Sequence, residues 1–368
     1  MGYQLQNRIT VVIEYEVAVD QFVEVPIENG TTLTQMYMVE STKISIPTLF
    51  LQLEDGLLFF TKYALLDGRR IKISLLTSGQ AIQQCTFRIF SFQSEFNGKV
   101  NTYKIDGYLD CPLYWFATSC QTYRGSSSSV LSTIAHTCGL SYTGDTTHDS
   151  QLWVQGNRTN CDFVSYVASH GYRSNTSYMV RCLYLQGTLA YKDVNAITNS
   201  KYTVVVDDNR QGCYTATDIN VQANSGLNGA SGGYASLMSV SDIQQSGVYS
   251  SLVTLNTERS PNFNTDINTK IKRGIVELNC LSTDTNEHFW AGTYQNFRYS
   301  KLYNVECSMM LNSVSNLYPL VGVNLSVNET SKTLDTSDSG LYVVNTRTVC
   351  VVGVNYGERI TCTRKGVN

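Results

Sequence analysis

Between residues 10 and 27 the chain alternates: Val11, Ile13, Tyr15, Val17 and Val19 fall on one side, and Val23, Val25 and Ile27 resume after Asp20-Gln21. A period of two held over that length demands extended backbone with one buried and one wet face, either a long strand or a pair, and excludes an amphipathic helix. Strand signals recur at Ile44–Leu53, Ile71–Leu75, Cys85–Phe92 and Val100–Leu109, separated by Glu54-Asp55-Gly56, Asp67-Gly68 and Asn97-Gly98. Short strands punctuated by such turns predict a β-barrel or sandwich over residues 1–112, with part of 200–235 returning to it.

The pattern changes after Gly125-Ser126-Ser127-Ser128-Ser129, where Val130, Leu131, Ile134, Ala135 and Cys138 take helical spacing and Gly139 ends the run. Thr159 with Asp162 three residues on reads as a carboxylate capping box, and Phe163, Val164, Val167 and Ala168 supply a buried face before Gly171. A hairpin follows, Tyr178–Leu185 and Thr188–Asp193 around Gln186-Gly187, so residues 113–200 are expected to form an inserted α+β unit. The stretch 224–251, rich in Gly, Ser and Ala, reads as a long loop or linker. Strand signals return at Ile275–Cys280, Tyr303–Leu311, Leu320–Val327 and in a closing hairpin from Gly340 to Arg364, a second β domain over 240–368. A length of 368 residues accommodates these three units.

Composition narrows function. With 27 Lys+Arg against 30 Asp+Glu, there is no excess positive charge to neutralise phosphates, and no nucleic-acid specificity is expected. No apolar stretch approaches the roughly 18 residues of a membrane span, and Met1–Arg8 lacks the apolar run of a secretory signal, so a soluble protein left in a cytoplasm is expected, without a membrane anchor. The 11 cysteines contain no C-x-x-C pair, and several, such as Cys307, fall on inward strand positions, so they read as reduced core residues. N-x-S/T patterns such as those at Asn157, Asn175, Asn324 and Asn328 carry little weight without a secretory signal.

Candidates for chemistry are few. Asp145, His148 and Asp149 have metal-ligand content but sit among Gly144, Thr146 and Thr147, which reads as a solvated loop. His136 and Cys138 offer a base and a thiol, yet residues two apart on a helix point in different directions. Glu54, Asp55 and Glu95 could serve as glycosidase carboxylates only if the fold paired them. Trp115 and Trp290 could stack on sugars in a glycan- or receptor-binding protein, and the 24 tyrosines suit interfaces as well as strands. No catalytic, cofactor-binding or metal-binding set is selected.

Two stretches resemble the phage tail baseplate hub family, which includes late control protein D and the N-terminal part of VgrG. The first runs from Val130-Leu131-Ser132-Thr133-Ile134-Ala135 and Gly139-Leu140 through Trp153-Val154-Gln155-Gly156-Asn157, Thr159, Asp162-Phe163-Val164 and Gly171-Tyr172 to Gly187-Thr188-Leu189-Ala190-Tyr191-Lys192-Asp193, with Val164 where the family commonly has Leu. The second comprises Leu320–Leu325, Ser339–Val344, Tyr356 and Thr361–Gly366, with Leu341 ahead of Tyr342 and polar Thr361 and Thr363 where aliphatics are usual. The resemblance implies two tail-tube-like β-barrel domains per chain. It also implies a homotrimeric ring that adapts a hexameric tail tube to a trimeric central spike within a virion baseplate, and a structural role without cofactor or enzymatic activity. A cell-wall hydrolase attached to a tail is the enzymatic alternative.

Overall fold

The computed structural model describes residues 9–27, 31–77, 80–174, 176–206, 210–223, 295–296, 299–300, 302–327, 338–353 and 355–365, together with the backbone of three strands between 235 and 282. Seven strands come first: β1 (Ile9–Ala18), β2 (Gln21–Glu24), β3 (Thr31–Ser41), β4 (Thr48–Asp55), β5 (Arg70–Thr77), β6 (Gln80–Phe96) and β7 (Asn101–Leu109), with the one-turn helix α1 (Phe59–Tyr63) after β4. The period-two run at the start is thus a hairpin, turned at Asp20, whose φ of 59° is a left-handed conformation that a short polar side chain tolerates. The strands pair antiparallel in the order β2-β1-β5-β6-β7-β4-β3. Alternate residues of β4 and β7 are buried, and Ile13, Met36, Met38, Leu51, Leu53, Ile73 and Ile105 fill one core. Each such side chain contributes about 1.5–3 kcal/mol by leaving water. The barrel stays open between β1–β2 and β3, where a cleft of about 470 Å³ is lined by Ile9, Val11, Val25, Leu33 and Val351.

The α+β unit follows: α2 (Pro112–Trp115), β8 (Thr118–Ser119), β9 (Thr122–Gly125), α3 (Ser127–Thr137), β10 (Ser141–Gly144), β11 (Gln151–Val154), β12 (Arg158–Thr159), α4 (Asn160–Ser169), β13 (Met179–Leu183) and β14 (Thr188–Asp193). Thr159 caps α4 as the sequence predicts, its hydroxyl accepting from the Asp162 amide at 3.1 Å. Leu131, Phe163, Val164, Val167 and Leu189 pack a separate core under the sheet β10-β14-β13. Gly171 is required by packing: an added Cβ would collide with the Tyr191 hydroxyl.

The remaining strands are β15 (Thr203–Val206), β16 (Tyr214–Ala223), β17 (Ala235–Asp242), β18 (Gly247–Thr254), β19 (Val276–Ser282), β20 (Val305–Leu311), β21 (Gly322–Ser326), β22 (Gly340–Val352) and β23 (Asn355–Arg364). Six of them close a ring, β22-β21-β15-β16-β20-β23 and back to β22. The fold is therefore mainly β, with a closed six-stranded barrel beside the first sheet.

Three expectations need correction. Residues 203–206 and 214–223 do not return to the first barrel: β15 pairs parallel with β16 and β21, and β16 antiparallel with β20. The stretch 224–251 is not all linker, since β17 and β18 form a hairpin, while 224–234 lies outside the described residues. The strand expected at 275–280 is β19, which pairs with β17 in a separate three-stranded sheet rather than in the barrel.

Candidate functional site

The two barrels share a strand. Val343 and Tyr342 of β22 pair with Gly322 and Val323 of β21, whereas Thr346–Val352 pair with Ser41–Gln35 of β3 in the first barrel. The transfer occurs at a bulge between Val344 and Thr346, where Asn345 is the extra residue and its carbonyl accepts from the Thr42 amide at 2.9 Å. A bulge bends its strand and increases local twist, which lets β22 leave one barrel wall for the other.

Immediately beyond that bulge lies a buried ionic node. Arg347 is directed between Glu358 of β23 (Nη2–Oε1 2.7 Å, Nε–Oε2 3.2 Å) and Glu40 of β3 (Nη1–Oε1 3.3 Å), and its guanidinium lies 5.0 Å from the centre of the Tyr318 ring. The three ionic side chains are at most 2% exposed. Glu40 Oε2 accepts from the Leu185 amide at 2.8 Å, tying in the α+β unit, and Glu358 accepts from the Tyr356 hydroxyl at 2.6 Å, the Ser315 amide at 3.2 Å and the Ser315 hydroxyl. Burial pushes the Glu40 carboxyl above its usual range, with Arg347 opposing the shift. Burial also works against the Arg347 charge, but its bonds to Glu358 and the two carboxylate charges outweigh it and hold the guanidinium protonated. Chemically, the node can fix the relative placement of three units. The sequence did contain a signal for it: Glu40 follows Met36 and Met38, Arg347 precedes Val349 and Val351, and Glu358 precedes Ile360 and Cys362, all on buried strand parity.

The residues singled out for chemistry are dispersed and mostly engaged. Asp149 is buried and accepts from the amides of Ser127 and Tyr172, both at 2.8 Å, so it anchors the start of α3. Asp145 accepts from the Asp193 amide, and Nδ1 of His148 lies 2.8 Å from the Arg173 carbonyl oxygen, so the segment expected to be a solvated loop is pinned to the unit. Nδ1 of exposed His136 lies 2.8 Å from the Ser132 carbonyl oxygen, while buried Cys138 points to the Leu113 carbonyl. Asp55 caps α1 through the amides of Phe59 and Phe60, each at 2.9 Å, and Glu95 pairs with Lys104 on the surface. Among the described residues no group of three or more His, Cys, Asp or Glu side chains is placed to hold a metal.

Trp115 is half-buried between Tyr108 and Phe116, with ring centres 5.3 and 4.3 Å away, so neighbours cover much of the ring expected to meet sugars. Trp290 lies outside the described residues. The ten described cysteines are free. Cys120 is exposed, Cys213 and Cys350 are half-buried, and the other seven are buried. Burial pushes the thiols of Cys85 and Cys111 up to about 12, so neither is a nucleophile at neutral pH. No described helix is long and apolar enough to cross a membrane.

The sequence matches no protein-family model and no curated protein. Solved structures do share the fold. The tail protein from Neisseria meningitidis MC58 aligns with a TM-score of 0.61 at 8% identity, over 97% of this chain and 96% of that one. The 43 kDa tail protein of prophage MuSo2 from Shewanella oneidensis gives 0.62 at 10% identity, over 97% and 98%. An Escherichia coli component of the type VI secretion system, described as structurally similar to T4 bacteriophage tail proteins gp27 and gp5, gives 0.51 at 8% identity, over 93% and 76%. This chain shares its fold with those proteins, over nearly the whole length of the first two.

Proposed function

We propose that the chain is the structural hub of a phage tail or tail-like particle: a non-enzymatic subunit, three copies of which close into a ring between the hexameric tail tube and the trimeric spike. The observation that carries this reading is the end-to-end correspondence with two tail proteins, over 97% of this chain and 96% and 98% of theirs. Two β units in one chain give six positions from three copies, so a trimer can meet a hexamer without a symmetry mismatch. On this reading the first barrel is residues 9–109, the α+β unit 112–193 projects from it, and the second barrel is built from 203–223 and 305–364. Tube, spike and other baseplate proteins are the partners, and the virion tail, assembled in the host cytoplasm, is the location.

Native mass spectrometry should give about three times 41.0 kDa, alone or with spike protein present, and particle images should place the chain at the tip of the tube. A monomer that joins no tail particle even with tube and spike proteins supplied refutes the reading. Glycan binding by that monomer would favour the receptor-binding alternative.

A further inference from the structure

Apart from the β1–β2 border of the open cleft in the first barrel, each barrel has among the described residues a strand whose outer part lacks a second neighbour. β5 pairs with β6 from Gln80 to Arg88, and Ile89 still exchanges backbone hydrogen bonds with Gly68 and Arg69. From Phe90 to Phe96, β6 has only β7 beside it among the described residues. In the second barrel β15 pairs with β16 over Tyr214–Ala216, and from Thr217 to Ala223 β16 has only β20 beside it among the described residues. A row of unpaired N–H and C=O groups is a template for another strand, and proteins guard edges that must stay free with charged side chains, Pro or bulges. Neither edge contains Lys or Pro, but each carries one acidic residue, Glu95 or Asp218, and a bulge at its inner end, at Phe90 in β6 and at Asp218-Ile219 in β16, so the regular free stretches are 91–96 and 220–223. The first exposes Phe90, Phe92 and Phe96, at 43%, 37% and 69%. The second exposes Asp218, Asn220 and Gln222 beside half-buried Ile219 and Val221.

Their placement identifies the occupant. The joint inside the chain is β3 on β22. In the first barrel β6 is three strands from β3, and in the six-stranded ring β16 is three strands from β22 by either route. Both free edges therefore face away from the joint, at the two ends of a double-barrel unit. With its bulge each spans seven residues, as does the β22 side of the joint, Thr346–Val352. We infer that the β6 edge of one copy pairs with the β16 edge of a second copy of this chain, repeating between copies the strand-on-strand joint that links the barrels within one. Two different, complementary patches form a heterologous contact, which generates a closed ring when the rotation permits. The inference rests on the trimeric reading and names the surfaces that would build it.

The test uses two full-length variants with lysines on exposed or partly exposed edge positions: Phe92→Lys with Phe96→Lys, and Asn220→Lys with Gln222→Lys. Each should keep the wild-type far-UV circular dichroism and a cooperative unfolding transition, weaken self-association about a hundredfold and run as a monomer where the wild type is a trimer. Mixed together, they retain one good edge each and should form a dimer that cannot close. In the unaltered trimer, the amides of 91–96 and 220–223 should exchange hydrogen slowly, a measurement that does not depend on any variant folding. A wild-type trimer whose edge variants also trimerise, or whose edge amides exchange fast, overturns this pairing and leaves the hub reading standing. A wild type that stays monomeric with tube and spike proteins present removes both.

Discussion

Replacing Arg347 by Met removes the one cation between two buried carboxylates and keeps most of the side-chain volume. The wild-type guanidinium makes three bonds, at 2.7, 3.2 and 3.3 Å, to groups with no more than 2% exposure, so water cannot take its place without opening the joint. Breaking a buried pair by deleting one partner costs about 3–5 kcal/mol, chiefly as the penalty of a stranded charge. For a chain of 368 residues unfolding as one unit, that corresponds to a drop of about 4–7 °C in Tm.

The loss should depend on pH. Glu40 already sits above its usual range because it is buried, and a carboxyl whose folded pKa is raised contributes stability fully present below its unfolded pKa and lost as pH rises through the folded value. Removing Arg347 takes away the charge that opposes this rise at Glu40, so the variant's deficit in urea unfolding should be larger at pH 7 than at pH 5. Combining Arg347→Met with Glu40→Gln and Glu358→Gln removes the stranded charge and keeps acceptors for the Leu185 amide and the Ser315 and Tyr356 hydroxyls, so it should recover most of the loss. A deficit that is independent of pH, or a triple variant as unstable as the single one, would refute the charge argument and leave packing as the cause.

At the far end of β1, the hydrogen bond from Arg70 holds the Glu16 carboxyl at about 2, so its contribution is present above about 4.5 and lost as pH falls through 2. Glu16→Gln should cost about 2 kcal/mol at pH 7 and flatten that acid limb in a stability-versus-pH titration. Gly171→Ala displaces the Tyr191 hydroxyl from the Ala168 carbonyl and Ser127 hydroxyl and should cost about 1–3 kcal/mol by urea unfolding. Thiol labelling of native protein should reach Cys120 first and leave the seven buried thiols unreacted until denaturation, whereas a set of disulfides found by mass mapping would contradict the free cysteines. A peptidoglycan zymogram should stay blank, and clearing abolished by mutating Glu54, Asp55 or Glu95 would overturn the non-enzymatic reading.

What the sequence made legible was parity. In β4, β7 and β20 alternate side chains are buried, so period two located both the strand and its inner face. Parity does not name a neighbour, however. β15 has Val204 and Val205 both fully buried, and its place in the second barrel comes from parallel pairing with β16 and β21, which nothing in Thr203–Val206 encodes. β17 was hidden for another reason: Ala235–Asp242 is half small or hydroxyl residues, and strand propensity measures packing on a pleated surface more than any intrinsic backbone preference. The ionic node lay in the same parity as the strands, and it was missed because a charged residue on a strand reads by default as outward.

That default carries a structural lesson about the joint. A β22 that stayed with β21 would complete the six-stranded ring and leave the first barrel's β3 edge unpaired, whereas one that ran straight past would open the ring. The bulge at Asn345 serves both needs, yet a bulge alone leaves the exit angle soft. Glu40 comes from one barrel, Glu358 from the other, and the Leu185 amide from the α+β unit, so the bonds at Arg347 are satisfied together only at one mutual placement. The β3–β22 ladder already fixes the register of these two strands, and the buried cation adds a side-chain tie that extends to β23 and to the α+β unit, which the ladder does not reach. On the hub reading, each copy thereby reaches the ring with its two barrels already set relative to each other, and assembly has only the contact between copies left to form.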